Sequence, residues 1–310
     1  MKRICKILNI IVLISGFLIF DYVTGYIKIN DGSRVKIVYK YTKLIDEFTW
    51  KNNSTEITNI KILLHLYKFN MPQKYYDNIV NTIIFIINFY EKKLNFNIKN
   101  NQEINIKIFG RFKDFKKYQR LNSSLDSDAG YFSKKYNEIV IAAREDSDHL
   151  GTVFHELNHI ILKNEIFKCP DWINEGLSEY FENSIIINDQ CLILLDDNKM
   201  RNCRNWFFNG ELMKLEDFFS LSNDEWDKTD NKKHGYMSRT ISWSIIYFLM
   251  SSEQGINFIK DILLFYKTNQ TNVSTINEIN KYYPGGIKNF EHGWHVWLVA
   301  DKGFHMHEFL

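Results

Sequence analysis

Residues 155 to 159 read His-Glu-Leu-Asn-His. Side chains four apart on a helix stand one above the other. His155 and His159 can therefore ligate a single metal ion while Glu156 projects beside them, placed to exchange a proton with a water molecule there. The segment also has the periodicity of a half-buried helix. At roughly 100° per residue, Phe154, Leu157 and Ile161 fall on one stripe with Leu150, and His155, Glu156 and His159 fall away from it. An apolar face is thus turned to the interior and a His-Glu-His face to whatever lies opposite. Composition alone would produce the five-residue pattern in roughly one or two chains per hundred, so a second element has to carry the weight.

That element is the run Pro-Asp-Trp-Ile-Asn-Glu-Gly-Leu-Ser-Glu-Tyr-Phe at residues 170 to 181. Pro170 and Asp171 are helix-start signals. Ile173, Leu177 and Tyr180 form its apolar stripe, and Glu175 and Glu179 share the opposite face. Glu175 would supply a third ligand, giving two imidazoles and a carboxylate with a fourth position open, the arrangement of a catalytic rather than a structural zinc. One Zn2+ per chain is therefore expected. Glu179, one turn on, is placed to accept a hydrogen bond from the distal nitrogen of a ligating histidine. Gly176 costs about 1 kcal/mol inside a helix, and a close approach of the two metal-bearing helices would account for it.

The elements that must position these residues can be read in outline. Strands are expected at residues 34–41, 60–69 and 104–109, and a long helix at 71–94 with Ile79, Ile83, Ile86 and Tyr90 at helical spacing. A short helix at 112–120 and a Ser/Asp-rich loop at 122–128 lead to a hairpin over 131–142. Helices follow at 148–164 and 172–183, then a strand-and-loop insert over 185–209 and helices at 239–250, 255–266 and 290–300. The fold class is α+β: a sheet-bearing lobe at about 30–164 and a helical lobe at about 165–310, with the metal in the cleft between them.

The chain has 310 residues, 45% hydrophobic and 15% aromatic, enough for a sizeable core and unlike a disordered chain. A formal charge of +2 excludes a strongly basic nucleic-acid footprint, and no nucleic-acid partner is expected. Lys2, Arg3 and Lys6 precede an apolar run from Ile7 to Phe20. That run suits the core of an export signal ending near residue 25, or an N-terminal membrane anchor, and the first thirty residues are not expected to join the fold. The remainder would then act outside the cytoplasm, secreted, periplasmic or tethered through residues 7–20. Cys5 lacks the small neighbours of a lipoprotein signal; Cys191 and Cys203 could pair in an oxidising compartment, or remain thiols. His292 and His295 sit beside Trp294 and Trp297 as ordinary helix packing, and His305 and His307 end a frayed tail, so no second metal site is expected.

At His155-Glu156-Leu157-Asn158-His159 and Asn174-Glu175-Gly176 the chain resembles the gluzincin zinc metallopeptidases, which include thermolysin-like and aminopeptidase N-like enzymes. In them the Glu of an Asn-Glu-Gly or Asn-Glu-Ala segment is the third zinc ligand. The hairpin segments Gly130-Tyr131-Phe132 and Glu138 to Ile141, the Trp172 to Phe181 block, Leu215 to Trp226, Ser242-Trp243 and Phe290 to Trp297 also resemble an exported bacterial peptidase-MA-like family, over about residues 73 to 300.

The resemblance implies zinc-dependent hydrolysis of peptide or protein substrates, with Glu156 as general base. Tyr236 is the candidate donor to the oxyanion, with His234 and Arg239 as rivals. The strand around Glu138 to Ala142 is expected to form the cleft edge, where an extended peptide could add. The stretch from His159 to Glu175 is shorter than in thermolysin-like enzymes, and the Gly-x-Met-Glu-Asn segment that aminopeptidases use for a free α-amino group is missing. An exported metal-binding or scaffold protein without turnover is the alternative, and Glu156 separates the two, since a binder has no use for a general base facing the metal.

Overall fold

Alternating apolar residues at the end of β4 (Ile57–Tyr67), in β5 (Gln102–Phe109) and in β7 (Glu138–Ala142) build the middle of a sheet buried on both faces. The computed structural model describes residues 23–28, 34–40, 43–51, 57–98, 102–133, 135–143, 150–187, 190–269, 274–300 and 306–309. Its larger sheet has seven strands in the order β1-β2-β3-β4-β5-β7-β6, with β1 at Val23–Lys28, β2 at Arg34–Lys40, β3 at Lys43–Lys51 and β6 at Gly130–Ser133. β1 to β4 form an antiparallel meander, β4, β5 and β7 run parallel, and β6 returns antiparallel on β7. A parallel step needs a crossover, and α1 (Gln73–Asn88) supplies it between β4 and β5. Ile106, Ile108, Ile139 and Ile141 face the main core, while Phe109, Val140 and Ala142 join Phe115 and Tyr131 in a smaller one that includes α2 (Phe112–Asn122). Helix α1 buries Tyr76, Ile79, Ile83, Ile86 and Ile87, then widens into a π-turn at Phe89–Lys93.

Helix α3 (Leu150–Glu165) packs on β6, β7 and α1, and α4 (Asp171–Glu182) lies against α3. Then come β8 (Ser184–Ile187), β9 (Gln190–Leu194), α5 (Asp197–Phe208), α6 (Leu215–Phe218), α7 (Asn223–Thr229) and α8 (Met237–Met250). The chain continues through α9 (Glu253–Thr268), α10 (Thr275–Tyr282), α11 (Gly286–Val299) and β10 (Met306–Phe309). One apolar cluster runs from Ile79 and Ile106 through Leu157, Leu177 and Trp243 to Trp294, so the sheet-bearing and helical parts share a core.

Five expectations change. β1 falls within the first thirty residues and pairs with β2, so pairing begins earlier than expected; residues 1–22, with the apolar run 7–20, lie outside the described residues. Asp197–Phe208 is a helix, because the Asp196 side chain accepts from the Asn198 and Lys199 amides at 2.9 and 3.0 Å and caps it. The second half also carries a small sheet in the order β10-β9-β8, and His307, expected in a frayed tail, pairs with Ile193; His305 lies outside the described residues. Gly176 meets α8 rather than α3: a Cβ there would lie 2.7 Å from Ile246 Cγ1 and 2.8 Å from the Ser242 carbonyl oxygen. The sheet's edges are β1 and β6, with β7, expected at an edge, one strand inside β6.

Cys169, Cys191 and Cys203 are free thiols. Burial pushes Cys191 and Cys203 up to about 12. Among the described residues no helix is long and apolar enough to cross a membrane.

Candidate metal centre

Helices α3 and α4 bring His155, His159 and Glu175 together. His155 Nε2 lies 3.7 Å from Glu175 Oε2, and His159 Nε2 lies 3.5 Å from Glu175 Oε1. One ligating atom from each of the three falls within 4.8 Å of the others. A tetrahedral ion with bonds of about 2.0–2.1 Å sets neighbouring ligands roughly 3.4 Å apart, so these spacings suit a zinc-sized cation. The donor set suits it too, since two imidazoles and a carboxylate match the ligand types zinc takes. Glu175 Oε2 is buried and has no hydrogen-bond partner. A buried carboxylate oxygen is normally satisfied, and a cation held between the two imidazoles would satisfy it.

The electrostatics are set by crowded charge in a buried space. Burial raises the Glu156 pKa, opposed by the neighbouring His155 and His159. Burial would lower His155, but the Glu182 carboxylate, with Glu156 and Glu179, outweighs it and lifts the imidazole to about 10. For Glu175, burial acts upward and the two histidines and Arg239 act downward, with a net lowering. A metal ion takes an imidazole in its neutral form, so a ligating cation would work against the upward shift of His155.

The histidines are held from behind by groups of which one was anticipated. Glu179 Oε1 is 3.8 Å from His155 Nδ1, but Glu182 Oε2 is closer, at 3.3 Å. Glu179 is drawn instead to Lys199, with which it pairs, and to Arg239 Nε at 3.4 Å. Glu182 stands seven positions after Glu175, on the same face of α4, and that spacing was the signal available in the sequence. Gly151, one turn before His155, makes the room. A Cβ there would lie 2.7 Å from the Glu182 carbonyl oxygen and 3.2 Å from Glu182 Cγ. His159 Nδ1 is 3.0 Å from Asn174 Oδ1 and 3.2 Å from Ser178 Oγ. Asn174 enters the sequence analysis only as part of the Asn-Glu-Gly segment and Ser178 only within the run at residues 170 to 181, although the two stand one helical turn apart beside Glu175.

Arg239 on α8 completes the second ring of charge. Its Nη2 donates to Asp230 Oδ2 at 2.9 Å, and its Nε lies 3.5 Å from Glu175 Oε2. Tyr236 precedes α8 in a left-handed conformation, φ 53°, and is 46% exposed. It lines a cleft of about 840 Å³ together with Glu179, Glu182, Lys199 and Arg239. His234 sits in a single 3-10 turn, Lys232–His234, and does not line that cleft. Gly130 on the edge strand β6 packs on α3, where a Cβ would come 2.8 Å from Thr152 Cγ2.

Comparison with known proteins finds one family model that matches part of the chain. Residues 149–270, less than half of the chain, match the family described as "Protein of unknown function (DUF1570)". The match contains His155, Glu156, His159 and Glu175. No curated protein matches the chain. Among solved structures it is similar to an aminopeptidase N family protein from Idiomarina loihiensis, at 11% identity and TM-score 0.42, over 87% of this chain and 48% of that one. It is also similar to aminopeptidase A from Legionella pneumophila, crystallised in complex with aspartic acid, at 11% identity and TM-score 0.41, over 89% of this chain and 32% of that one. The chain thus spans half or less of the length of these peptidases.

Proposed function

We propose that the chain is a zinc-dependent peptidase of gluzincin type, exported or held at a membrane surface, acting on peptide or protein substrates. The observation that carries this reading is the meeting of His155, His159 and Glu175 at 3.5 to 3.7 Å with Glu156 buried beside them. Structural zinc is normally closed by four protein side chains, and a three-residue set next to a buried carboxylate is suited to turnover.

When bound, the zinc supplies Lewis acidity, which makes a water acidic near neutral pH and polarises the scissile carbonyl. Glu156 takes a proton from the attacking water and returns it to the leaving amine. Burial raises its pKa, the direction that helps a carboxylate both take up and return a proton. Asn174 accepts a hydrogen bond from the Nδ1 side of His159, and the Glu182 carboxylate stands 3.3 Å from His155 Nδ1, so both Nε2 atoms are left to face Glu175. Tyr236 lines the cleft and is the proposed donor to the oxyanion as the carbonyl becomes tetrahedral. An extended substrate would lie along the β6 edge.

Export rests on Lys2, Arg3, Lys6 and the apolar run 7–20. The alternative, a metal-binding scaffold without turnover, is separated by one experiment. A mixed peptide library is digested with the zinc-loaded chain and with its Glu156→Gln variant at matched metal content, and read by mass spectrometry. Cleavage by the unmodified chain alone is the expected result. Zinc bound by both with no cleavage by either would put the scaffold reading first.

A further inference from the structure

A buried line of hydrogen bonds leaves the metal centre at His159 and ends in the π-turn after α1. Tyr90, fully buried in that turn, donates its hydroxyl to Asn158 Oδ1. Asn158 Nδ2 donates to Ser178 Oγ at 2.9 Å and to the Asn174 main-chain oxygen at 3.2 Å. The Ser178 hydroxyl donates to the same Asn174 oxygen at 2.9 Å. With its one proton committed there, Ser178 can meet His159 Nδ1, 3.2 Å away, only as an acceptor. The proton of a neutral His159 therefore sits on Nδ1, shared with Asn174 Oδ1 at 3.0 Å, and the lone pair sits on Nε2.

We propose that Tyr90 is a positioning residue for His159, acting through Asn158 and Ser178 to fix the ring and its tautomer; this rests on the metal-centre reading above. The π-turn is what makes it possible. The Leu94 amide reaches back to the Phe89 carbonyl at 3.0 Å, one residue further than in an α-helix, and the widened turn buries Tyr90. Its ring is held among Phe96 at 5.7 Å and Phe181 at 6.1 Å between centroids, so the hydroxyl is the polar tip of an apolar wedge. Without that hydroxyl, Asn158 Oδ1 is a buried acceptor with no donor. To regain one, the amide must turn toward the Ser178 hydroxyl, drawing it off Asn174 and moving the acceptor that His159 uses.

The test uses the full chain, its Tyr90→Phe and Ser178→Ala variants and the double variant. Zinc Kd is measured by chelator competition, and the His159 ring nitrogens of the metal-free proteins are followed by 15N NMR. The expected result is a zinc Kd about tenfold weaker or more in each single variant, with shifted His159 nitrogen signals and a double variant no weaker than about the worse single. Unchanged Kd and unchanged ring signals alongside reduced stability would make Tyr90 a packing residue and overturn the proposal. Effects that multiply in the double variant would also overturn it, since independent contributions add in free energy. If Tyr90→Phe does not fold, Ser178→Ala with an unmoved His159 signal is the overturning result. Failure of the unmodified chain to bind zinc would defeat the metal reading instead, and the NMR comparison would still decide the relay.

Discussion

Helix α3, which carries both histidines, ends at Glu165, whose side chain is 0% exposed and paired with Lys267 of α9 at 2.8 Å. Lys267 also donates to the Asn97 main-chain oxygen and lies 4.5 Å from the Phe96 ring centroid, so one ammonium ties together α3, α9 and the segment after the π-turn. Lys267→Met keeps the stem and removes the charge, taking this cation away from a buried carboxylate. Breaking a buried pair from one side costs about 3–5 kcal/mol. The opposite change is milder. In Glu165→Gln the ammonium is 22% exposed and retains Asn97, so about 1–2 kcal/mol is expected. The double variant removes both charges together, so its loss should fall short of the sum by about 2 kcal/mol or more. Urea unfolding followed by far-UV circular dichroism and tryptophan fluorescence measures all four proteins. A Lys267→Met loss below about 1 kcal/mol, or strict additivity, would refute the idea that Glu165 depends on this lysine.

Three further outcomes follow from the same structure. Glu182→Gln should weaken zinc about 10- to 100-fold, and Glu179→Gln should weaken it less, because Glu182 is the carboxylate nearer His155 Nδ1; chelator competition reads both. Gly176→Ala should lower stability by about 1–2 kcal/mol, the overpacking against α8 exceeding the gain in helix propensity, as measured by denaturant midpoint. Cys191 and Cys203, pushed up to about 12, are almost wholly protonated at pH 8; since the thiolate is the reactive form, iodoacetamide should leave both unmodified in the folded protein and label both in urea, with peptide mass spectrometry as the readout.

The meeting of His155, His159 and Glu175 was legible because a helical period fixes which side chains share a face, and because Pro170 and Asp171 mark where the second helix begins. Strand β3 escaped notice because Asp46 and Glu47 interrupt its apolar residues, and its register is set by neighbours on both sides rather than by its own alternation. Helix α5 escaped because the capping role of Asp196 was overlooked in favour of the β-branched residues before it. The partner of Gly176 is a tertiary fact: a glycine marks a close approach, and local sequence does not say to what. Glu182 outranked Glu179 for the same kind of reason, since Lys199 and Arg239 arrive from α5 and α8 to claim Glu179.

The continuity of the apolar core through both parts of the chain has a mechanical consequence. Enzymes that swallow a substrate by swinging two domains together need a seam with few contacts crossing it, and here the helix bearing Glu175 is packed between α3 and α8, inside the shared core. The helix carrying Glu175 is therefore held by packing on both sides, with no bare seam among the described residues about which the two parts could swing. On the peptidase reading, a cleft of about 840 Å³ takes a short stretch of chain, so a folded protein would be cut at a protruding tail or a locally melted loop.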